Sequence, residues 1–239
     1  MHVEHLDPSV VRGLREAIAA ARRQASEAMP EARQYADDPS YWQELFERNA
    51  VAVLSALPRV RLADGHAVRY RFYGRRGGDL LVRPFVTRAG SDLTAILKLL
   101  DWHAPPDASA PTSGGASQDV ELLYRFFTVE PTAAGAFEYF LAVQELWASQ
   151  RWIHSTVLAD AAELAAVIAG GDWRLDRPVE RVEPAVVRGG ADGTQIAVLV
   201  HCPLGRHAVT FHRIRIAPDQ GLEFAESLLI AAGPRGLIS

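Results

Sequence analysis

Thr194-Gln195-Ile196-Ala197-Val198-Leu199-Val200-His201-Cys202, then Pro203-Leu204-Gly205-Arg206, then His207-Ala208-Val209-Thr210-Phe211-His212-Arg213-Ile214-Arg215-Ile216 is the stretch from which the fold is read. Two runs rich in β-branched and aromatic residues flank a short Pro/Gly separator, which is the pattern of a β-hairpin. The pattern continues on both sides, predicting four strands at about 179–188, 194–202, 207–216 and 222–231. Gly189-Gly190-Ala191-Asp192-Gly193 and Pro218-Asp219-Gln220-Gly221 supply the other separators. Connections this short join antiparallel neighbours, so the region reads as a meander.

Upstream lie two helical signals. Pro131-Thr132 opens a segment whose Phe137, Phe140, Leu141, Val143, Leu146 and Trp147 cover most of a helical circumference. A helix that apolar belongs at the centre of a fold. An Ala-rich helix from about Leu158 to Ala169 follows, stopped by Gly170-Gly171, with Ser155 or Thr156 as a candidate N-cap. The largely apolar run from Val120 to Val129 reads as a buried strand.

In the first half, Asp7-Pro8-Ser9 and Asp38-Pro39-Ser40 each start a helix, with proline at the first helical position. Val68, Tyr70 and Phe72 alternate with Arg69, Arg71 and Tyr73 in a predicted strand, and 79–87 returns after a glycine-rich turn. Ser91 caps a predicted short helix carrying Leu93, Ile96, Leu97 and Leu100. Residues 103–118 are Pro, Ala, Ser, Gly and Thr with little apolar bulk, which predicts a flexible loop or linker. The chain thus divides into a helix-helix-hairpin half (1–102), a linker (103–118) and a strand-helix-helix-meander half (119–239), either as two similar αα-β halves or as one compact domain. The expected fold class is α+β, an antiparallel sheet meander with helices packed on one face.

Bulk properties narrow the function classes. Of 25 Lys and Arg residues only Lys98 is a lysine, a bias that points to a GC-rich bacterial genome. At 239 residues, 49% hydrophobic and 23% charged, the chain has an ordinary globular composition. The net charge of -4 argues against nucleic acid and anionic membranes as partners. No apolar run is long enough to span a bilayer and no secretory signal is visible, so the expected location is cytoplasmic. The single cysteine excludes an intramolecular disulfide and any multi-cysteine zinc site. The common nucleotide-binding, zincin, hydrolase-elbow and EF-hand motifs are absent, and no cofactor or metal is expected.

Three groups of residues could carry chemistry. Arg69, Arg71 and Arg83, interleaved with Tyr73 and Phe85, share one face of the predicted hairpin and could hold an anion through charge-assisted contacts. The plain alternative is a solvated face balanced by acidic residues such as Glu44, Glu47 and Asp79. His201, Cys202 and His207 cluster near a hairpin tip. Cys202 could act as a nucleophile beside an imidazole, or two histidines could ligate a metal with a carboxylate from elsewhere. Direct pairing of His201 with His207 would send His212 to the opposite face. Lastly, Glu138 and Glu145 sit two turns apart on the central helix, roughly 10 Å. Facing a cavity, they would become acid/base candidates.

The expected function is therefore a non-catalytic binding or interaction protein, using the arginine-aromatic sheet face for a small anionic ligand or an acidic protein partner. The alternative is an enzyme on a small acidic substrate, with Cys202, His201, His207 or Glu138 as its catalytic group. A homodimer is a further expectation for a protein of this size.

Overall fold

A computed structural model describes residues 2–29, 39–74, 80–91, 123–147, 155–190, 193–203 and 206–235. The 103–118 segment and the helix expected after Ser91 lie outside them. In chain order the elements are β1 (His2–His5), α1 (Pro8–Glu27), α2 (Pro39–Ser55), β2 (Val60–Leu62), β3 (His66–Gly74) and β4 (Leu80–Arg88). Then come β5 (Phe127–Val129), α3 (Ala133–Leu146), β6 (Thr156–Val157), α4 (Ala161–Ala169), β7 (Arg174–Leu175), β8 (Ala185–Gly190), β9 (Gly193–Cys202), β10 (Arg206–Ile216) and β11 (Leu222–Arg235). The fold is α+β, and its main sheet is antiparallel throughout.

The strands of that sheet run β1-β8-β9-β10-β11-β7. β9 pairs with β10 along its length, from Thr194 opposite Ile216 to Cys202 opposite Ala208. Its other edge is shared: β8 takes the first part, with Ala185 opposite Ala197, and β6 takes the end, with Thr156 opposite His201. Gly189 and Gly193, both at φ 78°, make the β8–β9 turn in a region of backbone space that glycine enters freely. Three register shifts between β10 and β11 bend the sheet, as bulges do.

The two β9 faces pack against different partners. Ile196, Val198 and Val200, with Ile214 of β10, join the main core built from α1, α2, α3 and the β3–β4 hairpin. Leu199 and Val209 point the other way and meet Leu164 and Val167 of α4, with Trp173 and Val182. The short α4 therefore covers part of the second face.

α3 is the centre expected from its apolar circumference: every residue but Ala134 and Glu145 is buried. Thr132 caps it, its hydroxyl accepting from the Gly135 amide at 3.0 Å. Gly135 is demanded by packing, since a Cβ there would lie 2.2 Å from the Glu130 carbonyl oxygen. Asp7 caps α1 as the sequence indicates. At α4 the cap is Asp160, accepting from the Glu163 amide at 2.9 Å, while Thr156 enters β6. Two pairings tie the early chain to the late chain: β2 to β5, with Leu62 opposite Phe127, and β1 to β8, with Val3 opposite Val187. One hydrophobic cluster draws on both sides of the 103–118 segment.

Candidate functional site

The β3–β4 register sets Arg71 opposite Arg83 and Arg69 opposite Phe85, which gathers Arg69, Arg71, Tyr73, Arg83 and Phe85 on one face as the alternation predicts. The side chains of Tyr73 and Arg83 lie outside the described residues. Arg69 hydrogen-bonds Glu47 of α2, one of the carboxylates expected to balance it. Arg71 is 6% exposed, Phe85 8% and the neighbouring Thr87 2%. This stretch of the face is buried where an open, solvated surface was expected. Among the described residues, Val68, Tyr70, Val82 and Val86 fill the other side, so the middle of the hairpin is covered on both faces.

Glu138 is 0% exposed and both its oxygens are engaged by one residue. Arg59 donates its backbone amide to one at 2.8 Å and its guanidinium to the other at 2.5 Å. Glu145 receives Arg22 of α1 at 2.5 Å. Burial pushes the Glu145 pKa up, against the opposing pull of Arg22. The two carboxylates face different arginines, Arg59 and Arg22, and neither borders the two hollows described below. They pin α3 to its surroundings.

The β9–β10 register decides the histidine-cysteine cluster. His201 stands opposite Val209 and Cys202 opposite Ala208, so His207 lies diagonal to His201 on the same face. His201 Nε2 and His207 Nδ1 are 3.4 Å apart, and the ring centres 5.4 Å. Trp173 leans on both rings, at 6.0 and 6.1 Å. Burial, then the neighbouring His207, lowers the His201 pKa. Cys202 points to the opposite face. There His212, opposite Val198, lies four residues further along the sheet, roughly 13 Å at ~3.3 Å per residue. No imidazole of this hairpin therefore reaches the thiol along the strand.

The Cys202 face carries a groove that sequence reasoning did not find. Val200, Cys202, Thr210 and His212 form its floor, with Ser155, Phe224 and Ser227 at its sides, around a volume of about 460 Å³. His212 Nδ1 and the Ser227 hydroxyl share a hydrogen bond of 2.8 Å, and the Phe224 ring meets the imidazole edge-on at 5.4 Å. Burial lowers the His212 pKa below its ordinary 6.5, which keeps the ring neutral at pH 7. Phe224 is 47% exposed and Leu229, opposite Thr210, 41%. Alternation in β11 gave no signal for it: Phe224 and Leu229 are five positions apart, and only the register shift between Arg213 and Ile214 brings both onto the Thr210–His212 face.

A second hollow of about 350 Å³ lies where the β5–α3 loop meets the sheet, bordered by Glu130, Thr132, Tyr139, Arg188 and Gln220. Its polar groups are largely spent on structure. The Tyr139 hydroxyl donates to the Gln220 carbonyl at 2.5 Å, and Arg188 donates to the Pro131 carbonyl at 2.7 Å. Among the described residues, no helix is long and apolar enough to cross a membrane. No family model, curated protein or solved structure matches the chain.

Proposed function

We propose that this protein is a non-catalytic binding protein whose ligand lies in the groove on the His212 face. The observation that carries the reading is the groove's lining. It combines hydroxyls, a neutral imidazole and an exposed phenyl ring, with no Arg, Lys, Asp or Glu among its described residues. A cleft of that size suits a small molecule. An uncharged lining suits a neutral one, with an apolar body against Phe224 and hydrogen-bonding groups toward Thr210, Ser155 and Ser227. The arginine-aromatic hairpin, the first choice from sequence, supports an anionic ligand less well: Glu47 already balances Arg69, and Arg71 and Phe85 are inside.

The enzyme reading is the second one. Cys202 lies in the groove, yet the strand register keeps His212 about four residues away from it, so the pair lacks the contact that activates a thiol.

The experiment is a thermal-shift screen of neutral and anionic small molecules, because a ligand that binds only the native state raises the melting temperature. Neutral amphipathic compounds should stabilise the wild type and lose their effect in Phe224→Ala and His212→Ala. Binders that are all anionic, and indifferent to both changes, would return the site to the hairpin. Turnover of a compound abolished by Cys202→Ser would establish the enzyme.

A further inference from the structure

On the face of the sheet opposite the groove, we propose that His201 and His207 form a binding site for a divalent metal ion of the zinc class. The argument is geometric. Zinc–imidazole bonds are about 2.0–2.1 Å, so two nitrogens on one tetrahedral ion stand about 3.3–3.4 Å apart. A square-planar ion would bring adjacent nitrogens to about 2.9 Å. His201 Nε2 and His207 Nδ1 share a hydrogen bond of 3.4 Å, and an ion that replaces the shared proton finds the two nitrogens at the tetrahedral spacing. The rings agree. Imidazole centres on one tetrahedral ion lie about 5.2 Å apart by the same construction, and these are 5.4 Å apart.

The pair is held by its surroundings. His201 sits in β9 between Val209 of β10 and Thr156 of β6. His207 is the second residue of the neighbouring strand, and Trp173 leans over both rings. Gly233 of β11 makes room for this arrangement: a Cβ there would lie 2.7 Å from the Trp173 ring and 2.9 Å from the His207 Cβ. Both histidines are half-buried, so an ion and its water can reach them. Among the described residues no third His, Cys, Asp or Glu joins them. Two positions are therefore left for water or an incoming ligand. Binding needs a lone pair on His201 Nε2 and on His207 Nδ1, which places the protons on His201 Nδ1 and His207 Nε2.

The test titrates the untagged full chain with Zn²⁺ by calorimetry and with Co²⁺ by visible absorption. One equivalent should bind at neutral pH, with the intense d–d bands of tetrahedral Co²⁺. His201→Ala and His207→Ala should each weaken binding at least about tenfold, while His5→Ala, on a distant edge strand, leaves it unchanged. In the unmutated protein Co²⁺ should shift the His201 and His207 ring resonances first, a readout that does not depend on either variant folding. Absence of binding, octahedral Co²⁺ spectra, or shifts that begin at other histidines would overturn the site.

Discussion

Arg59 and Glu138 form an ion pair whose two ends are unequally buried: the Arg59 side chain is 38% exposed, that of Glu138 0%. Removing the arginine strands a charge that water cannot reach, whereas removing the acid leaves a cation that can turn outward. Arg59→Ala should cost about 3 kcal/mol in urea unfolding, and Glu138→Gln, which keeps an acceptor for the Arg59 amide, about 1 kcal/mol. Equal costs would mean that the carboxylate is hydrated in solution. His212 makes a pH prediction. Burial lowers its folded pKa below the ordinary 6.5, so the folded protein binds this proton less tightly than the unfolded chain. The stability tied to the neutral ring is complete above pH 6.5 and is lost as pH falls from there towards the folded value. Between pH 7.5 and 5 the wild type should lose more stability than His212→Asn. His201, shifted the same way by its own burial, is common to both proteins and cancels in the comparison. Identity at this scale was only partly legible. The alternation around Arg71 correctly put the arginines on one face, but a periodicity of two cannot say whether that face is covered, and here both are.

Among the elements, α3 was the most legible, because side chains apolar around the whole circumference have no place but the interior. Its entry is equally constrained. The close approach of Gly135 to the Glu130 carbonyl leaves no space for a methyl group, and backbone cannot yield as a side-chain tip can. Gly135→Ala should therefore lower the melting temperature by several degrees or prevent folding, despite alanine's better helix propensity. A neutral or raised melting temperature would show that the loop before α3 shifts freely. The β9–β10 hairpin was legible in its strands but not in its register. Residues 203–207 admit more than one pairing, and the one adopted makes His201 and His207 diagonal neighbours while separating His212 from Cys202. A shift of one residue would have exchanged the faces. The strands β1, β2 and β7 carried no readable period because each is four residues or fewer, and only the partner strand decides that such a segment is extended.

For the whole molecule, the mixing of early and late chain in one core predicts mutual dependence. Leu6, Val11, Val53 and Leu57 pack in the same cluster as Phe137, Phe140, Val198 and Ile214, and β1 and β2 pair with strands from the second half. The 119–239 fragment expressed alone should lack native near-ultraviolet circular dichroism, and the full chain should unfold in a single transition by both far- and near-ultraviolet signals. A folded fragment, or two separated transitions, would establish two autonomous halves. The same mixing explains the limits of the sequence reading. By itself the sequence determined the α+β class, the antiparallel meander, the central helix and the bounds of β3, β4, β9 and β10. Each of these follows from local periodicity, caps and turn residues acting within a dozen positions. Only the tertiary structure decided which faces are covered, which arginines meet carboxylates, which histidines touch and where a groove remains. Those are properties of residues far apart in the chain, set by how the sheet curls and what packs against each side, and no local pattern encodes them.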